Sequence, residues 1–443
     1  MMTKEQKNTF RTLLLLALPT MLEYLLSTLM QYVDTAMVGH LGADATAAVS
    51  TTTTITWLTG SLSASIAVAV LTMIATAMGA NRLEQVKTIA AHAVLYSVAI
   101  GSLITLISVA LSGRIPVWMG IDESVQVLAA QYFLIISLPG VFRSFSIILG
   151  AAIRATHDTK NPMIISLSAN GLNVILNGFL IYGLHMGVQG AALATALSTF
   201  VSGVWMLAVF LRKDVLRFEK SALKPQKKIV SESMKIGLPV LATSFTSCMG
   251  YVVFASMITG LGKVVFAAHS IAVTAEELFY IPGYGLRGAT QTLVGNSVGE
   301  GDQHKFRVVG RVSILFTILM MCVSGILLYF LSYPLMCLFT SSHEAAVIGA
   351  GVLKMVAFSE PFFGLQIVLE GIYYGVGNTR LPFYINTVSM WVIRIFFTYL
   401  CVNVWGLSLT AVWICMIADN LCKAAASAIA APKSFQGVFS KSH

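Results

Sequence analysis

The chain has 443 residues, of which 56% are hydrophobic and only 11% are charged. Soluble domains carry about 25% charged residues, so this composition excludes an ordinary water-soluble globular protein. The formal net charge of +9 would indicate nucleic-acid binding in a soluble protein. Apolar runs of about 20 residues or more, without strict alternation, instead predict membrane-spanning α-helices. The expected fold is an all-α membrane protein.

Short polar turns divide the sequence into twelve predicted spans. The first follows Lys4, Lys7 and Arg11, as a signal peptide would, but it contains Glu23 and lacks a small-residue cleavage site. We therefore interpret it as an uncleaved helix. The predicted spans are 12–38, 47–78, 88–112, 124–152, 161–183, 189–211, 235–258, 267–297, 309–332, 345–371, 382–401 and 408–430.

Basic residues are concentrated in every second loop. With the N-terminus in the cytoplasm, 21 Lys and Arg residues fall on the cytoplasmic side, and only Arg114 and Lys263 fall outside. This bias is typical of membrane topology and explains the positive charge without nucleic acid. Both termini are therefore predicted to be cytoplasmic.

The two halves of the chain repeat each other at an offset of 220 residues. The stretch LGAAIRATHDTKNP (149–162) aligns without a gap with LEGIYYGVGNTRLP (369–382). Six spans per half is an even number, so the repeat is parallel, with a pseudo-twofold axis along the membrane normal. The predicted domains are an N-terminal lobe (1–211), a basic cytoplasmic linker (212–233), a C-terminal lobe (234–433) and a cytoplasmic tail (434–443).

Polar residues follow one face of the first helix. Glu23 and Asp34 are eleven residues apart, which is three turns plus about 20°, and Ser27 lies between them. A polar stripe on an apolar helix should face the bundle interior or a wet cavity. The alternative is that Asp34 lies at the membrane interface and is solvated.

A second polar face is predicted on helix five. Asn170, Asn173 and Asn177 follow an i, i+3, i+7 pattern, and Thr195 of helix six could join them. With Asp34 these residues offer oxygen ligands that suit a hard cation or a proton-linked network. The alternative is polar contact between helices with no further role.

Ionisable residues inside a membrane are costly, so each one is a candidate functional residue. Glu276 and Glu277 lie about ten residues, or ~15 Å, into helix eight. Two adjacent carboxylates there should not both be ionised, which predicts proton coupling. We favour Glu277 as the cavity residue, because the repeat sets it opposite Trp57. Alternatively, one of the two carboxylates pairs with Arg394 or Arg143.

Other ionisable residues complete the set of candidates. Glu370 is an equally plausible partner for Arg394, and both Glu370 and Glu23 are candidates for proton coupling. Residues expected near the interfaces, where long side chains can snorkel, carry less weight. These are Glu360, Lys354, Asp419 and Arg287.

Several functions are disfavoured. The sequence contains no GxxxxGK[ST], the phosphate-binding loop of ATP-driven pumps, no GxSxG lies wholly within a predicted span, and the eight histidines form no metal-spaced cluster. The glycines at 283, 285 and 288 match the dinucleotide fingerprint, but they lie within an apolar helix and predict close helix packing. We expect no enzyme, no metal beyond a coupling ion and no cofactor.

Three motifs together carry a resemblance to a known family. VDTAMVGHLG (33–42), AAIRATHDTKNP (151–162) and GIYYGVGNTRLP (371–382) resemble the multidrug and toxic compound extrusion (MATE) family over nearly the whole chain. The resemblance implies a V-shaped pair of six-helix lobes around a central cavity, and a prokaryotic plasma membrane. It also implies a cation site at Asp34, Asn173, Asn177 and Thr195, although the family pattern has Asp where this chain has Asn177.

The C-terminal half also departs from part of the family. NorM-type members carry acidic residues where this chain has Ser247 and, early in helix ten, Phe363. In that respect the sequence is similar to the DinF-like branch. Glu276 and Glu277 are expected to supply the acid instead.

The predicted function is export of amphipathic, cationic organic compounds by alternating access, in exchange for H⁺ or Na⁺. Trp57, Gln31 and Asn170 are the predicted substrate-cavity residues, and the protein is expected to be monomeric. The alternative is a flippase for a lipid-linked precursor, which would need a cationic cavity such as Arg143, Arg287 and Arg394 could provide. A passive channel fits the parallel repeat less well.

Overall fold

The computed structural model describes residues 3–439, apart from the side chain of Gln436, so the end of the predicted cytoplasmic tail lies outside the described residues. Within this range the regular secondary structure is entirely helical. The twelve candidate membrane segments are α1 (Lys4–Gly39), α2 (Ala43–Gly79), α3 (Leu83–Leu111), α4 (Glu123–Ser137 and Gly140–Ala155), α5 (Lys160–Gly183), α6 (Gly187–Arg212), α7 (Lys227–Thr259), α8 (Lys263–Glu300), α9 (Gln303–Phe339), α10 (His343–Gly375), α11 (Arg380–Val404) and α12 (Leu409–Phe435).

Eleven of these segments are single helices that are long and apolar enough to cross a membrane, and α4 is the twelfth if its two halves count as one span. The halves of α4 meet at an angle of 57°. The break contains Pro139, which removes a helical hydrogen bond and clashes with the preceding turn. The predicted all-α membrane fold is therefore confirmed for residues 3–439.

The 220-residue repeat is visible in the backbone. Gly42 and Gly262, which precede the second helix of each half, have φ angles of 111° and 107°. His157 and Gly377, after α4 and α10, have φ angles of 65° and 76°. Both pairs lie in the left-handed region, where glycine is favoured. The same turns therefore recur at the same offset.

The HDTKNP motif forms a turn that joins helices. Asp158 accepts hydrogen bonds from the backbone N–H and side chain of Asn161 and forms a 2.9 Å ion pair with Lys213 at the end of α6. Burial alone would raise the pKa of Asp158, but these donors outweigh burial and lower it. Asn378 occupies the equivalent position in the second half. Its side chain accepts a hydrogen bond from the backbone N–H of Leu381 and donates one to the Ser434 hydroxyl.

The described chain packs into two compact units, whose limits differ from the predicted lobes. The N-unit is Leu22–Leu241, and the C-unit comprises the residues up to Met21 with those from Ala242 onward. The limits differ because α1 and α7 each contribute one part to each unit. The two division points are themselves 220 residues apart.

The predicted linker is shorter than expected. α7 begins at Lys227, so only residues 213–226 connect it to α6, and they contain the 3₁₀ turns Asp214–Leu216 and Lys220–Leu223. This segment packs on α3: Leu216 is buried, and the backbone N–H of Gln226 donates to His92 Nε2 at 2.9 Å. The Lys- and Ser-rich stretch after residue 226 is the first part of a helix rather than a loop.

Glycines allow close packing inside each unit. A Cβ at Gly285 would lie 2.4 Å from Met21 Cγ, and a Cβ at Gly203 would lie 2.4 Å from the carbonyl oxygen of Phe142. The residues 283–288 therefore belong to a packed helix, as the sequence indicates. Such contacts hold the helices whose polar side chains form the site below.

Candidate cation site and buried charges

A polar cluster in the N-unit is centred on Asp34 of α1. The side-chain amide of Asn177 donates to Asp34 Oδ1. Asn177 is completely buried, and its own carbonyl oxygen, Oδ1, has no hydrogen-bond partner. A buried acceptor without a donor is unfavourable unless a proton donor or a cation reaches it.

Asn173 and Thr195 complete this cluster. The Asn173 side chain lies 3.3 Å from Thr195 Oγ1 and 3.3 Å from Asn177 Nδ2. With its amide oxygen and nitrogen exchanged, Asn173 donates to Asp34 Oδ1 at 3.3 Å and accepts from Thr195. One amide group therefore lies within reach of all three partners in either orientation. We call Asp34, Asn173, Asn177 and Thr195 the Asp34 site.

The rest of the polar face on α1 contacts α5 and the end of α4. Asn170 Nδ2 donates to Ser27 Oγ at 2.8 Å, one step along the two helices. Glu23 forms an ion pair with Arg154, whose Nη2 lies 2.9 Å from the Glu23 carboxylate. The Glu23 side chain is 12% exposed and that of Arg154 is 22% exposed. Sequence spacing predicted the shared face of Glu23, Ser27 and Asp34. It did not reveal the partner of Glu23, because Arg154 was counted among the cytoplasmic loop residues.

Two features next to the Asp34 site were not predicted. Asn177 is the last α-helical residue before a π-helical segment, Gly178–Gly183, and such segments change the helix register and often occur at functional sites. Tyr132 of α4 is buried and lies near Asp34. A tyrosine within an apolar span was the only sequence signal for this neighbour.

In the C-unit, Glu370 pairs with Arg287 and not with Arg394. Arg287 Nη1 lies 2.9 Å from Glu370 Oε2, while Tyr374 and Asn386 donate to Oε1 at 2.9 and 3.1 Å. The suggested pairing of Glu370 with Arg394 is wrong. The direction of a side chain around a helix axis cannot be read from span order alone.

Arg394 instead belongs to a buried triad. Its Nε lies 2.8 Å from Asp419 Oδ2, and Lys423 Nζ contacts the same oxygen at 2.8 Å. Asp419 is 0% exposed and Glu360 only 1%. Both acids are therefore enclosed by helices of the C-unit, while their position near a membrane interface stays a prediction. Lys354, by contrast, is exposed.

Glu276 and Glu277 have different surroundings. Glu276 is 2% exposed and forms no ion pair within 4 Å among residues 3–439, whereas Glu277 is exposed. Arg143, the other suggested partner, is in the N-unit and donates to the carbonyl oxygen of Ile136 at 3.3 Å. Neither glutamate thus has the arginine partner that the sequence suggested as an alternative.

The predicted substrate residues lie in the N-unit. Trp57 is 47% exposed on α2, and Gln31 is exposed on α1. Asn170, half-buried on α5, already bonds to Ser27. Trp57 and Gln31 are therefore accessible to a substrate, whereas Asn170 would have to give up its hydrogen bond to Ser27 to contact one.

The described part of the chain contains no group of three or more His, Cys, Asp and Glu residues that could hold a metal ion. The Asp34 site has a different composition, with one carboxylate, two amides and one hydroxyl. Oxygen ligands with a single negative charge fit a hard monovalent cation or a proton. The unpartnered Oδ1 of Asn177 is an available ligand.

The sequence model of the MatE family matches residues 19–179 and 239–400. The chain belongs to the MatE family. The two matched segments also begin 220 residues apart, as the repeat requires. The resemblance noted in the sequence is thus confirmed, while placement in the DinF-like branch stays a prediction.

Named relatives of this MatE chain are known. It is 28% identical over 413 residues to the probable multidrug resistance protein NorM of Thermotoga maritima, covering 92% of this chain and 89% of that protein. It is 24% identical over 428 residues to the multidrug export protein MepA of Staphylococcus aureus, covering 96% and 94%. These names denote transport, so the chain is a membrane transporter rather than an enzyme.

Solved structures show the same fold. A crystal structure of MATE in complex with MaL6 superimposes with a TM-score of 0.93 at 21% identity, covering 99% of this chain and 100% of the other. An outward-facing multidrug resistance MATE transporter of the MOP superfamily superimposes with a TM-score of 0.92 at 21% identity, covering 99% of each chain. At this level of identity the likeness establishes the fold alone.

The ion pair between Glu23 and Arg154 generates a stability prediction. Glu23→Gln leaves a largely buried guanidinium without its counter-charge, which should lower the free energy of unfolding by about 2 kcal/mol or more. Thermal unfolding of the purified protein measures the loss. As a control, Glu84→Gln removes the exposed pair with Lys87 and should change stability by less than about 0.5 kcal/mol. Equal stabilities for both variants would contradict a structural role for Glu23.

Proposed function

We propose that this transporter is a cation-coupled antiporter that exports amphipathic, cationic organic compounds. A cation, H⁺ or Na⁺, would enter down its gradient while the organic substrate leaves, and the two lobes would alternate in access. The names of the relatives from Thermotoga maritima and Staphylococcus aureus support multidrug export. The coupling ion is proposed from the residues of this chain.

The Asp34 site is the observation that carries this proposal. Among residues 3–439, Asp34 forms no ion pair, and its neighbours are neutral amides and a hydroxyl. An ionised carboxylate inside a membrane span is costly without a counter-charge. A bound proton or sodium ion would supply that charge, and Asn177 Oδ1 would serve as an additional ligand.

The amide of Asn173 is a neutral partner of the carboxylate. With its nitrogen toward Asp34, it donates a hydrogen bond but supplies no positive charge. Coupling follows if the two lobe conformations bind the cation with different affinity.

Asn177 limits the charge that the site can hold. The family pattern with a second carboxylate there could balance two positive charges, whereas Asp34 alone balances one. We therefore propose that one monovalent cation binds per transport cycle at this site. No cofactor beyond this ion is proposed.

The other candidate acids are proposed to differ in role. Glu23 and Glu370 each have an arginine partner, which favours a structural role for both. Glu277 is exposed and Glu276 is buried without an ion pair, so these two remain the proposed proton-coupling residues of the C-unit.

Substrates are proposed to contact the exposed faces of Trp57 and Gln31, with Asn170 as a polar neighbour. An aromatic ring attracts organic cations through its π face. We further propose a monomer in a prokaryotic plasma membrane, with both termini in the cytoplasm, as the Lys and Arg bias indicates.

The flippase alternative loses its main support. It relied on intramembrane arginines that could hold a pyrophosphate. Arg287 is paired with Glu370 and Arg394 with Asp419, each within 3 Å. Two of the three arginines are therefore already neutralised.

Asp34→Asn should abolish coupled efflux, since the amide cannot bind or release the coupling cation. Efflux of a fluorescent organic cation from proteoliposomes, driven by imposed pH and sodium gradients in turn, measures the loss, which should exceed about tenfold. Asp44→Asn is the matched control, because Asp44 is exposed at the start of α2. Undiminished efflux by folded, inserted Asp34→Asn protein would refute the assignment.

Asn177→Asp should change the cation dependence of efflux rather than abolish it. The substitution places a second carboxylate beside Asp34, which strengthens cation binding and shifts the site toward protonation. The pH optimum or the sodium concentration for half-maximal efflux should shift, by about tenfold in concentration or about one pH unit. If neither quantity moves, the polar face of α5 is a structural contact only.

A further inference from the structure

A second group of buried charges lies in the C-unit, apart from the Asp34 site. It is formed by side chains of α8, α10, α11 and α12, and we call it the Glu360 cluster. Its members are Glu276, Tyr280, Glu360, Arg394, Asp419 and Lys423.

Both cations of the Glu360 cluster are engaged by one acid. Arg394 and Lys423 each contact Asp419 Oδ2 at 2.8 Å, and the Ser389 hydroxyl donates to Oδ1 at 2.5 Å. Arg394 also lies 3.3 Å from the side-chain oxygen of Asn420. Asp419 is therefore satisfied, and neither cation forms an ion pair with Glu276 or Glu360.

Glu276 and Glu360 are left with few partners. Tyr280 donates its hydroxyl to Glu276, while Glu276 Oε1 and both carboxylate oxygens of Glu360 have no hydrogen bond. Glu276 and Glu360 lie near each other, on helices α8 and α10, which pack together. Exposures of 2% and 1% exclude bulk water as the missing partner.

The charges of the Glu360 cluster do not balance if every group is ionised. Three carboxylates face one guanidinium and one ammonium, which leaves one negative charge in a region of low dielectric. Two neighbouring buried carboxylates avoid this cost when one proton remains between them. A protonated carboxyl would also give Glu360 a donor for Glu276.

Other titratable groups on the same and adjoining helices do not supply the missing charge. His269 is packed between the rings of Phe254 and Trp413. Lys354 is exposed beside the Tyr329 ring, and Arg287 is paired with Glu370. The remaining groups are Cys248 and Tyr251 on α7, Glu277 and Tyr284 on α8, Cys322 on α9, and Cys422 on α12.

We propose that Glu276 and Glu360 form a second proton-binding site, in which the two carboxylates share one proton. The proton is favoured over a metal ion because the described residues hold no group of ligands arranged for a metal. Use of this site in transport rests on the proposed antiport, whereas the binding of the proton does not. The site is distinct from Asp34, since it lies entirely in the C-unit.

Thermal unfolding of the purified full chain at about pH 5 to about pH 8 tests this proposal. The unfolded carboxyls release their protons above about pH 4.5, while the folded pair retains one. The stabilisation that the bound proton gives to the folded state is therefore present at low pH and is lost as the pH rises. The apparent Tm of the wild type should fall by ~2–5 °C over this range.

Glu360→Gln should remove this dependence and should be more stable than the wild type at the high-pH end, because it removes a like charge. Glu276→Gln should also remove the pH dependence of stability, and it replaces Glu360→Gln in the test if that variant fails to fold. Glu344→Gln, which changes an exposed glutamate at the start of the same helix α10, is the matched control and should keep the wild-type slope. At about pH 8, the infrared spectrum of the wild type minus that of Glu360→Gln should show a carboxylic-acid carbonyl band, and the corresponding difference with the control should not.

A Glu360→Gln variant that is less stable at every pH with an unchanged slope would show a purely structural residue and overturn the proposal. Stabilisation of the wild type by NaCl over choline chloride at about pH 8, absent in Glu360→Gln, would identify a sodium site and overturn the proton assignment. Because the readout is stability, it is independent of whether Asp34→Asn impairs efflux.

Discussion

The structure depends on one constraint: a charge within a membrane-spanning helix needs an opposite charge or a hydrogen-bond network inside its own helix bundle. Three of the acids in the predicted spans meet this need by pairing. Glu23 pairs with Arg154, Glu370 with Arg287, and Asp419 with both Arg394 and Lys423. Of the acids within the predicted spans, those without an ion pair among residues 3–439 are Asp34, Glu276, Glu277 and Glu360, and these four are the acids to which we assign cation or proton binding.

The same scaffold supports different chemistry in the two halves. The repeat preserves its turns, since Gly42 matches Gly262 and His157 matches Gly377 in left-handed φ. It does not preserve the polar residues: the positions equivalent to Asp34, Asn173 and Asn177 are Phe254, Ile393 and Phe397. Conversely, Glu276 and Glu360 correspond to Thr56 and Gly140. Each unit thus carries its own buried acids on a shared framework.

The sequence was sufficient for the features that follow from helical periodicity. The spacing of Glu23, Ser27 and Asp34, and the run of asparagines on helix five, placed these side chains on facing helices, and the contacts Asn170–Ser27 and Asn177–Asp34 are found. Pairings between distant helices were not predictable. They depend on helix rotation and on local π-helical register, as around Arg394, which lies within Ser389–Phe396. The burial of Glu360 and Asp419 was not predictable either, since apolar runs do not show which face of a helix its neighbours cover.

The central claim is that Asp34 binds the cation that substrate displaces. Addition of a cationic dye to purified protein in weakly buffered detergent solution, with proton release and radioactive sodium release followed in parallel, tests it most directly. The wild type should release one kind of cation, about one per dye bound, and Asp34→Asn should release none from this site. Equal cation release by wild type and Asp34→Asn would show that coupling does not pass through Asp34.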